Sequence, residues 1–310
     1  MRPGASMTEV VGRTPVVQLQ GVVPEGAADV FVKLEWFNPT GSYKDRMALA
    51  MIEEAERRGE LRPGMTIVEY TGGSTGSSLA YVCAAKGYRF RVVSSDAYAE
   101  EKLRTMRAFG ADVTVLPSDG GRVTPDLVPR MMEKAAEYAT EPDTYFTDQF
   151  NNVDAVVGYR NVGVELLEQM SRPIDVFCAA VGTGGLAMGV AEALADGGSP
   201  ARVVVLEPAS TPVLTLGKTG SHRVEGIGVG FRPPLLDSAR YHEARAIEEQ
   251  DGREMARRLA RDEGLLAGTS SGLNVFGAVA LAEELGPGRC VVTVAVDTGL
   301  KYLAGDLYPD

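Results

Sequence analysis

Histidine is nearly absent from this chain: His222 and His242 are the only two in 310 residues. Neither has a cysteine beside it, so a zinc-type ligand set cannot be assembled and no metal is expected. Cysteine is almost as scarce. Cys83, Cys178 and Cys290 are odd in number, far apart, and set in apolar runs such as YVCAA and VFCAAV. They read as buried free thiols in a reducing cytosol, which excludes a disulfide framework. Positive charge is also short, with 31 Lys and Arg against 42 Asp and Glu, a net charge of −11. Such a surface repels nucleic acid and anionic membranes, so neither is expected as a partner. The opening stretch, MRPGASMTEV, has no apolar core of the kind a secretion signal needs. The most apolar run, Val176 to Ala195, is broken by Gly182, Gly184, Gly185 and Gly189 and carries Thr183 and Glu192. It therefore reads as a buried strand, a turn and a helix, not a membrane span.

What the chain does have is ordinary globular composition, 45% hydrophobic and 24% charged. Its length suits two domains of roughly 100–200 residues each. Val-rich runs read as strands buried on both faces: Val30–Glu35, Thr66–Tyr70, Phe90–Ser95, Asp112–Leu116, Asp175–Val181, Val203–Glu207 and Cys290–Val296. Amphipathic segments between them read as helices: Lys44–Arg58, Thr75–Lys86, Ala99–Phe109, Leu127–Ala139, Ala155–Gln169, Leu186–Ala195, Gly252–Glu263 and Gly272–Glu284. In the first of these, Ala48, Met51, Ile52 and Ala55 form one apolar face and Gly59 closes it. The alternation predicts α/β architecture, with mostly parallel sheets flanked by helices in three layers. Two stretches are long and irregular, Ser118–Pro125 and Pro208–Pro234, the second carrying Gly226, Gly228 and Gly230.

Four junctions between strand and helix carry candidate chemistry. In Asn38-Pro-Thr-Gly-Ser-Tyr-Lys44-Asp-Arg46, Lys44 opens a helix. A cation there opposes the helix dipole, and partial desolvation would make it a usable amine nucleophile. A solvated first-turn lysine is the plainer account. Thr71-Gly-Gly-Ser-Thr-Gly76 gathers backbone N–H groups and three hydroxyls, suited to a carboxylate or phosphate. The same segment spells G-x-S-x-G through Gly72, Ser74 and Gly76, the nucleophile elbow of α/β-hydrolases. That reading lacks an upstream oxyanion loop, and both histidines sit in polar stretches that suggest solvated surface positions. Gly182-Thr-Gly-Gly-Leu-Ala187 follows an apolar strand and reads as G-x-G-x-x-A, with Glu207 at the end of the next strand. This fits a dinucleotide fingerprint with its ribose acid, and a Rossmann dehydrogenase stays open. The narrower reading is a phosphate-sized anion at a helix N-terminus. Gly268-Thr-Ser-Ser-Gly272 precedes the last long helix and by itself is a plain N-cap.

Taken in order, the four clusters resemble the cysteine synthase and cystathionine β-synthase family, the fold-type II pyridoxal-phosphate enzymes. The similarity runs from Gly12-Arg13-Thr14-Pro15, like the family's GNTP, to Val296-Asp297-Thr298-Gly299. The resemblance implies that Lys44 forms the internal Schiff base to pyridoxal 5'-phosphate and shuttles substrate protons. Gly182, Thr183, Gly184 and Gly185 would take the cofactor phosphate, and Ser270 the pyridine nitrogen. Ser74 would face the ring oxygen. Thr71, Gly72 and Thr75 would cradle the substrate carboxylate, with Gln149 nearby, and Gly228 would lie in the loop bordering the substrate amine. The large cofactor-binding domain would comprise residues 1–45 and 146–310, the small mobile domain 46–145, in a cytoplasmic homodimer. The implied reaction is β-replacement on serine or an O-activated serine through an aminoacrylate, a small nucleophile then adding. The alternatives are β-elimination, as in a cysteine desulfhydrase or a serine/threonine dehydratase, and a non-catalytic binding protein. Three departures stand out. TGGSTG replaces the usual TSGNTG, so Gly72 lacks a hydroxyl worth about 1 kcal/mol to a carboxylate and Ser74 is shorter than asparagine. Leu186 replaces the last residue of GTGGT, and Asn151-Asn-Val-Asp154 departs from an NPxNP-like run.

Overall fold

The computed structural model of the chain describes residues 5–121, 124 and 126–308. Residues 1–4 of the opening stretch and 122, 123 and 125 of the first irregular loop lie outside them. In chain order the elements begin β1 (Val16–Gln18), β2 (Asp29–Leu34), α1 (Lys44–Arg58), β3 (Thr66–Tyr70), α2 (Ser74–Lys86) and β4 (Arg89–Ser95). Then come α3 (Glu100–Ala108), β5 (Asp112–Leu116), α4 (Leu127–Ala139), β6 (Thr144–Phe146), α5 (Asp154–Gln169), β7 (Val176–Ala180) and α6 (Gly185–Asp196). The rest are β8 (Arg202–Pro208), the single-turn α7 (Val213–Leu216), β9 (Glu243–Ile247), α8 (Glu249–Asp262), α9 (Thr269–Leu285) and β10 (Cys290–Ala295). Helix α1 has the bounds its apolar spacing predicts, with Ala48, Met51, Ile52 and Ala55 fully buried and Gly59 at φ +75° beyond its end. Val176–Ala195 resolves into β7, a turn and α6, as its glycines suggest.

Contacts divide the chain into two compact units, Met1–Val11 with Lys44–Gly158, and Gly12–Tyr43 with Tyr159–Asp310. Set against the expected boundaries, residues 1–11 and 146–158 group with the smaller sheet, and so does Lys44. The reason is local: Lys44 is the first residue of α1, which packs along α2.

The smaller unit is built on a parallel sheet of order β5-β4-β3-β6. Val68, Tyr70 and Val93 meet Leu127, Met131 and Ala135 of α4 on one face. Ile67 and Val92 point the other way and are equally buried, so the sheet is covered on both sides. The larger unit carries the sheet β1-β2-β10-β7-β8-β9, parallel except for the edge pairing of β1 with β2. Val30, Val176, Val204 and Val291 join Met255, Leu259, Leu273 and Ala278 of α8 and α9 in one core. Phe177, Val205, Val292 and Val294 on the opposite face are also fully buried. These are the expected three-layer α/β/α units. Cys83, Cys178 and Cys290 are free and buried, and burial pushes the Cys178 thiol up to about 12 and the Cys290 thiol to about 11. Among the described residues, no helix is long and apolar enough to cross a membrane.

Candidate active site

In the smaller unit Lys44 is buried, and its Nζ reaches Sδ of Met47, one helical turn on, at 3.6 Å. Burial lowers its pKa from 10.5 to about 8, partly opposed by the negative charge of Glu69. A solvated first-turn lysine would keep its ordinary proton affinity. This one has the depressed affinity of an amine nucleophile.

The Thr71–Gly76 loop joins β3 to α2. Thr71 Oγ1 accepts the Gly73 N–H at 3.1 Å, which folds the loop back on itself. Gly76 is a glycine for lack of room: a Cβ there would lie 2.6 Å from Met106 Cε and 2.7 Å from Thr71 Cγ2. Thr75 and Gln149 are brought together directly. The Thr75 hydroxyl donates to Gln149 Oε1 at 2.8 Å, and Gln149 Nε2 donates to the Tyr70 carbonyl at 3.1 Å. Ser74, half-buried, is the first residue of α2. The divergent Asn151–Asp154 run has its own structural work. Asn152 Oδ1 accepts the Asp154 N–H at 3.0 Å, and Asp154 pairs with Arg58 at 2.7 Å.

In the larger unit the 182–185 turn joins β7 to α6. Gly184 stands at φ +87°, the left-handed region that glycine enters without strain. A Cβ at Gly182 would lie 2.3 Å from the carbonyl oxygen of Gly226, so backbone alone excludes a side chain there. The Gly228 N–H donates to the Val181 carbonyl at 3.0 Å, which pins the 224–228 loop beside the turn. Thr183 is buried, and its hydroxyl accepts the Gly185 N–H at 3.5 Å. Ser270 is buried in the first turn of α9. Four residues on, Asn274 Oδ1 accepts the Ala180 N–H at 2.7 Å and its Nδ2 donates to the Val294 carbonyl at 2.9 Å. That residue ties the helix to β7 and β10.

A family model described as "Pyridoxal-phosphate dependent enzyme" matches residues 7–297. The chain belongs to the pyridoxal-phosphate-dependent enzymes. It is 41% identical to a cysteine synthase of Staphylococcus aureus over 309 residues, 99% of this chain and 98% of the relative. The solved structure of an O-ureido-L-serine synthase superposes with TM-score 0.93 at 35% identity, covering 99% of this chain and 95% of that one. A cysteine synthase from Entamoeba histolytica superposes with TM-score 0.93 at 31% identity, covering 99% and 91%.

Taken unit by unit, the residues present are of the kinds that pyridoxal phosphate needs. Lys44 offers a buried amine near neutrality, and the 182–185 turn opens the twelve-residue helix α6 with glycines whose Cβ positions are crowded by neighbours. Two rival readings fail on the donors and acceptors already in use. Glu207, the candidate ribose acid, accepts from the Leu214 N–H at 2.7 Å, the Thr215 N–H at 2.8 Å and the Thr215 hydroxyl at 2.7 Å. Its carboxylate is spent within its own loop. His222, the candidate triad base, is not on the solvated surface expected of it. It is half-buried, its Nδ1 accepts the Val224 N–H at 3.1 Å, and its Nε2 lies 2.8 Å from the Gly228 carbonyl. Accepting at Nδ1 leaves the proton on Nε2, so both ring nitrogens are engaged by backbone. His242 is exposed, as expected, with Nδ1 accepting the Val203 N–H at 3.0 Å.

Sequence reading missed four contributors. Tyr159 is fully buried, stacks on Tyr43 at 5.2 Å and 29°, and lies 3.2 Å from the Cβ position of Gly185. It thereby links the glycine turn to the residue preceding Lys44, but in sequence it is one more aromatic on an apolar helix face. Glu69 and Asn274 act through partners distant in the chain. His222 had one legible signal, its place six residues before Gly228 in a glycine-rich loop.

Proposed function

We propose that this chain catalyses β-replacement on an O-activated serine, a small nucleophile adding at the β-carbon. The buried amine of Lys44, its pKa lowered to about 8, carries the reading. The named relatives support its direction: cysteine and O-ureido-L-serine are both serine-derived amino acids substituted at the β-carbon. Lys44 would hold the cofactor through its amine, and the same amine would take and return the proton at the substrate α-carbon. The backbone N–H groups of Gly182–Gly185 and the Thr183 hydroxyl hold the phosphate. The Ser270 hydroxyl would serve the pyridine nitrogen, and Ser74 the ring oxygen. When bound, pyridoxal phosphate draws off the electron pair left on the α-carbon, so that the β-substituent can depart. The substrate carboxylate is held by the Thr71–Thr75 loop at the N-terminus of α2, with Gly72 and Gln149 beside it, and Gly228 borders the amine. Since the Thr75 hydroxyl donates to Gln149, the loop's backbone N–H groups do most of that work. The protein works as a homodimer in the cytoplasm; light scattering of the purified chain tests the dimer, and fractionation of the cells that make it tests the location.

Mixing the purified protein with O-acetylserine and sulfide tests the reaction. Cysteine as the main product is the expected result. Pyruvate and ammonia as main products would assign β-elimination instead, and no consumption of the donor would leave the reading without a substrate.

A further inference from the structure

Gly72 is not in the left-handed region, so its backbone conformation does not require a glycine. The requirement is spatial. A Cβ built there would lie 2.2 Å from Cε1, 2.3 Å from Cζ and 2.5 Å from Cδ1 of Tyr98. Tyr98 sits in the short link between β4 and α3. Its ring is half-buried against the cluster of Tyr70, Val93, Leu127 and Met131. Its backbone is also held, with the Tyr98 N–H donating to the Ser95 carbonyl at 3.3 Å. The ring is therefore anchored from behind, and its far edge lies where a residue-72 side chain would stand. One aromatic side chain from a neighbouring loop fills a volume that the Thr71–Gly76 loop leaves empty.

We infer that Tyr98 is a positioning residue for the substrate-carboxylate loop, its ring serving as the wall that a side chain at position 72 would otherwise provide. The chemical class it serves is a small α-amino acid with a free carboxylate, and the inference rests on the functional reading above. Held against the ring, the backbone N–H of Gly72 keeps one orientation toward the carboxylate, next to the Gly73 N–H that the Thr71 hydroxyl already holds. Without the ring, a loop containing two adjacent glycines loses that constraint.

A two-residue cycle on the cofactor-loaded enzyme tests this, reading KM and kcat for the donor amino acid and the melting temperature. Tyr98→Ala should raise KM at least about fivefold with kcat within about twofold of wild type, the signature of lost binding rather than lost chemistry. Tyr98→Phe, which keeps the ring, should retain the wild-type KM. Gly72→Ser alone should raise KM because the new side chain displaces the ring. The double variant Gly72→Ser with Tyr98→Ala should return KM to within about threefold of wild type, since the serine then has the space. An unchanged KM in Tyr98→Ala, a Tyr98→Phe variant as impaired as Tyr98→Ala, or a double variant showing the product of the single effects would overturn the inference. A wild-type protein without borohydride-sensitive visible absorbance would overturn the functional reading instead. The melting-temperature cycle would still report on the pairing, non-additivity supporting it and simple additivity refuting it.

Discussion

The backbone N–H of Gln149 donates to Oε2 of Glu69 at 3.0 Å, across 80 residues of chain. The Thr147 hydroxyl adds a second bond to the same oxygen at 2.8 Å, and the Tyr70 N–H reaches Oε1 at 2.8 Å. Glu69 thus fixes the segment from which Gln149 receives the Thr75 hydroxyl, and its charge acts on Lys44. Burial raises its pKa from 4.5 to about 7 despite the three donors.

That shift sets a sign for pH dependence. The folded state binds the Glu69 proton more tightly than the unfolded chain. The associated stability is full below about pH 4.5 and declines as pH rises toward about 7. Glu69→Gln removes the titration but sets an amide N–H₂ among donors, costing about 1–3 kcal/mol. Melting curves at pH 5, 6, 7 and 8 should show wild type ahead at low pH and the gap narrowing upward. A widening gap would mean that the carboxylate is charged and stabilising.

Lys44→Ala should lower turnover at least about a thousandfold, since the amine both anchors the cofactor and moves the proton. Its melting temperature and circular dichroism should stay close to those of the wild-type apoprotein. Recharging of apoprotein with pyridoxal phosphate should quicken as pH rises to about 8, where the buried amine becomes neutral, and level off above. Stopped-flow absorbance reads this profile. A rise continuing to the ordinary lysine range would contradict the burial argument.

His222→Ala removes both bonds that span the 224–228 loop, each worth about 0.5–1.5 kcal/mol. Donor KM should rise several-fold with kcat little changed, and the Val224 amide should exchange faster with solvent. His222→Asn keeps an acceptor for the Val224 N–H, and His222→Gln a donor for the Gly228 carbonyl. Each should recover part of the loss. Equal damage from all three would point to packing rather than to these two bonds.

Arg13 stands at φ +50°, a region that arginine enters at a cost. Its N–H donates to Glu165 Oε1 at 2.9 Å, a bond that any residue but proline retains. Arg13→Asn should therefore stabilise the protein by about 0.5–1 kcal/mol, measured by urea unfolding, with activity unchanged. Loss of stability would show that the arginine side chain contributes more than its backbone strain costs.

Much of this architecture was legible because its signals are local. Ala48, Met51, Ile52 and Ala55 announce α1 by spacing alone, and the Val-rich runs announce strands covered on both faces. Strand β9 was not legible. It is an edge strand, Glu-Ala-Arg-Ala-Ile, and its charges pair sideways, Glu243 with Arg202 at 2.9 Å and Arg245 with Glu284 at 2.6 Å. In sequence such charges look like loop. The glycine and hydroxyl clusters were visible because helix N-termini that receive anions need those residue types. What holds them was not: Glu69 under Gln149, Tyr159 beside Gly185 and Tyr98 over Gly72 are pairings that no single-sequence period encodes.

Strand β2 pairs in parallel with β10 along its whole length, Asp29 opposite Cys290 and Leu34 opposite Ala295. During synthesis the earlier partner must therefore wait for the later one. At roughly 5–20 residues per second the delay is on the order of tens of seconds, during which the Val30 and Val32 face has no neighbour on that side. The larger sheet can close only after α9 and β10 leave the ribosome. Loop-closure entropy over so long a separation makes that step slow. A chain stalled or truncated before residue 290 would present an open strand edge, an aggregation hazard in nascent chains that the finished protein does not share.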